Sequence, residues 1–498
     1  MSQTQLSIPD WRWRTSRPAL RVLLRWAIVS TAPFAMGCPS PNDAPDAGPA
    51  GHDYRNLEVV AALPRSSGLA AEWRIAVGEW ETDAGAVCRL NEIDLSGRPD
   101  LLPQVSQGTT LLVAPLPLVP ELVDAAWLAP LDPVQHPEAA AVWQDIPAGL
   151  RQGPASPGRQ PALIPLDCPV LACYYRADLL QAAGREPPTS WQDYQQLLDS
   201  LNEWAPGLAA VEPWHPDFRT TIYIARAASY ALHPDNLSLY VDLETGRPLI
   251  GEPPFVQALE AARTACERLD PRSLNLTPAD CFRELAAGRA ALAIGAPVID
   301  GSPVERAADI RIGVAPLPGA ERVYHRELGK WVSPADGQAV NRVTLVGFDG
   351  LAVCVSALAP DEAQRAAWNL FASIDAQAEI AGSVARPARR LCRASAADDL
   401  ARNPPPRWPV EEWREQVRTV AGMLESTRVV SDLPLPHRWE FRDRLTARLS
   451  EALDGSRSAE EALQLAATDW QALIEQLGAR RVRNVCRQCS GLSALPPE

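Results

Sequence analysis

The side chains with the most chemical reach in this 498-residue sequence are few and scattered. Cys486 and Cys489 stand in a CxxC spacing near the C-terminus, which suits thiol exchange, a metal knuckle or a local disulfide. A redox pair belongs at a helix N-terminus after a strand, whereas this one follows the basic run ARRVRNV. A second CxxC or a CxxC–His pattern, needed to complete a zinc set, is missing. A local disulfide in a C-terminal tail (481–498) is therefore expected. The six histidines stand singly with no metal-ligand spacing, so no metal and no cofactor are expected. GxSxG, HExxH and Walker patterns are also missing, and the single lysine, Lys330, leaves GKW at 329–331 unfit as a phosphate loop. No nucleophile or acid–base pair declares itself, which disfavours an enzyme.

Charge narrows the partners. There are 61 acidic against 47 basic residues and a formal net charge of −14, a balance that disfavours nucleic acid, since phosphate binding needs a basic face. The length exceeds one ordinary core and implies two or more lobes, with 46% hydrophobic residues to fill them.

The N-terminus combines Arg12, Arg14, Arg17, Arg21 and Arg25 with the short apolar run WAIVSTAPFAMG. That run is too short to span a bilayer, which takes about 20 apolar residues. It ends at Ala35-Met36-Gly37-Cys38, before a turn-rich polar stretch. This resembles a bacterial lipoprotein signal over 1–37, with cleavage before Cys38, lipid on its thiol and a polar linker at 38–55. An ordinary secretory signal with an incidental cysteine is the alternative. With Cys38 acylated, nine of the ten cysteines remain, too odd a number for complete internal pairing.

Positioning elements come next. LEVVAALP (57–64), AVCRLNEI (86–93) and TTLLVAP (109–115) read as strands alternating with helical stretches, the pattern of an α/β lobe with a mainly parallel sheet. In YYRADLLQAAGREPPTSWQDYQQLL (174–198), Gly184 suits a left-handed helix end, Pro187-Pro188 stiffen the link, and Ser190 with Asp193 caps a new helix. Thr277 and Asp280 repeat that punctuation, as do Ser458 and Glu461. AALAIGAP (290–297) reads as a strand, and VTLVGFDGLAVCVS (343–356) as a buried strand pair broken by glycines.

Together these segments resemble the bacterial extracellular solute-binding proteins of the sugar-binding family, the group containing maltose-binding protein. The similarity runs in order from about 57 to 477 through 174–198, FRELAAGRAALAIGAP, IGVAPLPG, 343–374 and ALDGSRSAEEALQLAATDWQALI. It implies a type II two-lobe α/β fold with strands crossing between lobes and ligand in the cleft. Lobe 1 is expected over 56–166 with 290–320, and lobe 2 over 167–289 with 345–480. Crossings are expected at 163–171, near 288–296 and near 320–347.

The resemblance also implies a site. Glu212-Pro213-Trp214 looks like the family's Glu-Pro-aromatic sugar contact, in which an indole covers the apolar face of a pyranose while a carboxylate takes its hydroxyls. A core tryptophan is the alternative. Asp167 would lie on the cleft floor, and Asp349 with Gly350 would face the cleft; a turn cap and a hinge hydrogen bond are their alternatives. Arg65, Ser66 and Ser67 end the first strand, where such sheets bind ligands. APLPLVPEL (114–122) is apolar and Gly295-Ala296-Pro297 lacks an aromatic, both departures from a maltodextrin site. The implied function is capture of a carbohydrate for the permease of an ABC transporter, by a monomer anchored through lipid at the periplasmic or cell surface. A ligand-free sensory or interaction lipoprotein on the same fold is the second reading.

Overall fold

The computed structural model describes residues 54–95, 108–236, 238–296, 305–380, 391–404 and 407–496. Cys38 and the signal-like segment lie outside them. So does Pro297.

The apolar run at its start forms β1 (Glu58–Pro64), followed by α1 (Ala70–Ala84), β2 (Val87–Ile93) and β3 (Leu111–Pro115). Three short helices follow, α2 (Val119–Asp124), α3 (Pro137–Gln144) and α4 (Ala148–Arg151), then β4 (Ile164–Asp167). The chain continues through β5 (Ala172–Arg176), α5 (Ala177–Ala182), α6 (Trp191–Asp199), α7 (Leu201–Trp204) and β6 (Ala209–Val211). Next come α8 (Arg219–Ala231), α9 (Pro253–Cys266), α10 (Pro278–Ala286), β7 (Ala290–Gly295) and β8 (Ile312–Pro316). A hairpin of β9 (Val323–His325) and β10 (Lys330–Val332) precedes β11 (Thr344–Val346) and β12 (Leu351–Val355). The remainder is helical apart from β13 (Val429–Ser431): α11 (Asp361–Ile380), α12 (Ala396–Arg402), α13 (Val410–Glu425), α14 (Arg438–Leu453), α15 (Ala459–Leu477) and α16 (Ala479–Cys489).

Two sheets organise these elements. The first has the order β2-β1-β3-β12-β4 and the second β6-β7-β5-β8. In the first, β1, β2 and β3 are parallel while β12 runs antiparallel to both β3 and β4. The polarity brings the carboxyl ends of β1, β3 and β4 to the edge where β12 begins. In the second, successive residues of β5 serve different layers. Tyr174 packs edge-on to Phe282 of α10 at 4.9 Å, whereas Cys173 and Tyr175 belong to the core under α8, α14 and α15.

This pairing corrects the expected division. The strands at 290–295 and 312–316 pair with β5 in the second sheet, and the strand at 351–355 pairs with β3 and β4 in the first. The second lobe's sheet thus holds segments assigned to lobe 1, and the first lobe's sheet takes one assigned to lobe 2. The first change of sheet falls between Asp167 and Ala172, within the expected 163–171. A second lies at 347–350, at the end of the expected 320–347, and a third around 429–432; none falls at 288–296, where the strand stays in the second sheet. The three helix caps read from sequence are formed: in each, the Ser or Thr and the acidic residue three positions on exchange hydrogen bonds with each other's backbone.

Among the described residues no helix is long and apolar enough to cross a membrane.

Candidate functional site

The three crossings meet and are tied by their own side chains. Asp167 ends β4, is 4% exposed, and accepts the Leu351 N–H on Oδ1 at 2.6 Å. The residue before Leu351 has to be glycine. Gly350 has φ +102°, and an added Cβ would stand 2.6 Å from the Asp167 carbonyl oxygen and 2.9 Å from its Oδ1. Its carbonyl accepts the Leu116 N–H at 2.9 Å, and its N–H donates to Asp349 Oδ1 at 2.7 Å. The first and second crossings are thereby fastened to the end of β3.

The third crossing is parallel to the second. β13 pairs with β11, and Asp432 N–H donates to the Val346 carbonyl at 2.7 Å. Asp432 is 3% exposed, and its carboxylate accepts the Thr221 hydroxyl at 3.0 Å and Arg438 Nη2 at 3.1 Å. Arg438 also donates from Nη1 to the Gly347 carbonyl at 3.2 Å, so one guanidinium holds both crossings. Burial pushes the Asp432 carboxyl up and lowers Arg438, each opposed by its partner.

The sequence-derived site residues divide among three places. Asp167, Asp349 and Gly350 come together at this hinge, where they make backbone hydrogen bonds. Asp349 is exposed there. Arg65 and Ser66 are exposed at the carboxyl end of β1, along the same sheet edge, while Ser67 is buried and accepts the Leu69 N–H at 3.3 Å.

Glu212 and Trp214 lie elsewhere. Both are fully buried in the second lobe's core, and this burial overturns their reading as cleft contacts. Trp214 Nε1 donates to Glu212 Oε2 at 3.1 Å, and Arg226 Nη2 donates to both carboxylate oxygens at 2.8 and 3.0 Å. The Arg226 guanidinium covers the Trp191 ring at 4.0 Å. Burial is the largest influence and lowers the pKa of Arg226, but Glu212, together with Tyr194, Tyr230 and Cys266, carries it above the usual value. The arrangement is a sealed ion pair with aromatic walls, and the core alternative describes it.

Residues that sequence reasoning passed over join the lobes. Glu121 on α2 is 4% exposed and sits against the N-terminal backbone of α14 at His437 and Arg438. Burial raises its pKa, opposed by those N–H groups. One turn on, Asp124 takes two hydrogen bonds from Arg481 Nε at 2.9 and 3.0 Å. Arg481 belongs to α16, whose Val482 and Cys486 pack in the second lobe's core while Val485 and Cys489 pack in the first. The expected C-terminal tail is thus a helix seated on both cores. Cys486 and Cys489 are free, buried thiols, not the expected disulfide, and burial pushes the Cys486 thiol up to about 11. The apolar composition of 114–122 has its reason here, since Leu116, Val119 and Pro120 line a small apolar cavity beside Cys489.

A larger cavity of about 380 Å³ opens at the third crossing, lined by Pro154, His233, Asn236, Tyr240, Arg428 and Ser431 among others. In the first turn of α14, Trp439 is half-buried with Arg438 and Arg442 guanidiniums 5.1 and 4.6 Å from its ring.

No family model and no curated relative matches this chain. Solved structures do. An ABC transporter solute-binding protein from Agrobacterium radiobacter K84 in complex with ribitol shares 15% identity, with a TM-score of 0.57 over 84% of this chain and 100% of that one. Maltose-bound MalE3 of T. maritima gives the same identity, TM-score and coverage. An ABC substrate-binding protein from Listeria monocytogenes in complex with cycloalternan shares 14% identity, with a TM-score of 0.55 over 85% of this chain and 99% of that one. The chain has the two-lobe fold of these structures.

Proposed function

We propose that this chain is an extracytoplasmic solute-binding protein that captures a carbohydrate or polyol between its lobes and delivers it to an ABC transporter permease. The observation that carries the reading is the hinge: three crossings joined at Asp167, Gly350 and Asp432, in a fold shared with proteins solved with ribitol, maltose and cycloalternan. Capture needs no covalent step. Closure shifts toward the ligand-bound form only by the ligand's greater affinity for it.

With Glu212 and Trp214 sealed in the core, the ligand contacts are assigned to the hinge edge. Arg65, Ser66 and Asp349 are exposed there, and Trp439 offers a half-buried ring. An indole suits the C–H face of a sugar, and the guanidinium and carboxylate suit its hydroxyls. Lipid on Cys38 would keep the protein at the periplasmic or outer surface as a tethered monomer, because a diacylglycerol plus an N-acyl chain supplies the two anchors stable retention takes.

The interlobe contacts favour a second reading. Glu121 against α14 and Asp124 with Arg481 join the lobes through the protein's own side chains, which suits a sensory or interaction lipoprotein on the same fold. Titrating intrinsic fluorescence with a library of sugars and polyols separates the two. The transport reading expects a saturable change with at least one compound, abolished in Trp439→Ala at an unchanged melting temperature. No response across the library supports the second reading.

A further inference from the structure

Two histidines 92 positions apart and one aspartate converge on the second lobe beside the large cavity. His233 follows α8, and His325 ends β9. Their rings lie 4.6 Å apart, centroid to centroid. Asp235 Oδ2 stands 3.5 Å from His233 Nδ1 and 3.2 Å from His325 Nε2. We propose that His233, Asp235 and His325 form a binding site for a divalent first-row transition ion, zinc being the chemical type.

The distances carry this. A tetrahedral ion with arms of about 2.1 Å requires donor atoms about 3.4 Å apart. Both carboxylate–imidazole separations meet that requirement, and the three residues offer donor atoms that all lie within 4.8 Å of one another. Two imidazoles and a carboxylate are the donor set of open zinc sites, which leave a fourth position to water. Here the cavity lined by His233 supplies that water.

The scaffold is fixed before any ion arrives. Asn236 donates to the carbonyls of Ala231 and Tyr324 at 2.9 and 2.8 Å, and accepts the Arg326 N–H at 3.3 Å. That one side chain locks the end of α8 to the hairpin and thereby sets the two rings side by side. Binding gives up two long hydrogen bonds, Asp235 N–H to His233 Nδ1 at 3.2 Å and Leu328 N–H to His325 Nδ1 at 3.4 Å. Their loss, together with the nearby Arg428 charge, points to moderate affinity. An ion there would staple the β9–β10 hairpin to α8.

Titration of the full chain with Zn²⁺ and with Co²⁺ tests the site, read by calorimetry and by the visible bands of four-coordinate cobalt. The expected result is one ion per chain, with cobalt bands, a zinc-dependent rise in melting temperature, and loss of all three in the doubly substituted His233→Gln/His325→Gln chain. Asp235 is 61% exposed, so Asp235→Asn leaves the fold intact and is expected to weaken zinc binding by roughly tenfold. Absence of cobalt bands in the wild type, bands that persist in the double variant, or unchanged affinity in Asp235→Asn would overturn the assignment.

Discussion

Two buried carboxylate–guanidinium pairs serve different ends in this molecule. Glu212–Arg226 lies inside one core, with its partners 14 positions apart and tryptophans as walls. Asp432–Arg438 lies where the chain changes lobes, and its guanidinium also takes a carbonyl from another crossing. The first pair touches nothing that must move, whereas the second binds the hinge at Gly347 and ties it to α8 through Thr221. Burial alone does not distinguish them, since all four side chains are at most 3% exposed. What distinguishes them is which segments they join.

The largest expected effect breaks the first pair. Arg226→Ala leaves Glu212 buried and unpaired, a change that costs about 3–5 kcal/mol. Trp214→Ala empties a site of similar consequence. Denaturant unfolding should show both losses, while sugar binding per folded molecule stays unchanged. Normal stability with lost binding would return this cluster to the cleft.

Gly350→Ala acts on the hinge instead. The strained φ and the approach to Asp167 together cost about 3 kcal/mol. Because the strain falls between lobes, the variant should also change proteolytic sensitivity at 346–351, which Arg226→Ala should not do. Equal protection of that segment in both variants would erase the distinction.

The smallest effect concerns Glu121. Its folded pKa is raised above the unfolded value by burial. The stability it contributes is therefore complete below the unfolded value, near 4.5, and is lost as pH rises through the folded one. Glu121→Gln removes that loss and should flatten the decline in melting temperature as pH rises above about 4.5. An unaltered pH profile would show that Glu121 ionises freely between the lobes.

Much of the local structure was legible because it is written locally. Ser190 with Asp193, Thr277 with Asp280, and Ser458 with Glu461 each hold both halves of a cap within four residues. The glycines at 347 and 350 marked a break between two strands for the same reason. Sheet membership was not legible, since the alternation of AALAIG or LAVCV states that a strand is buried without naming its neighbour. The same limit hid the site. Whether Glu212 faces a cleft depends on Arg226, one helix later, and His233 meets His325 only through a hairpin 92 residues on. The C-terminal CxxC misled because its surroundings, two separate cores, lie in distant sequence.

The hinge account is tested most directly by small-angle scattering with and without the sugar or polyol that alters the protein's tryptophan fluorescence. A ligand of micromolar affinity contributes about 8 kcal/mol, enough to shut a cleft whose open form is favoured by a few. The account predicts a smaller radius of gyration at saturating ligand, in Arg226→Ala as in the wild type but not in Gly350→Ala. An unchanged radius in the wild type at saturation would contradict capture by lobe closure.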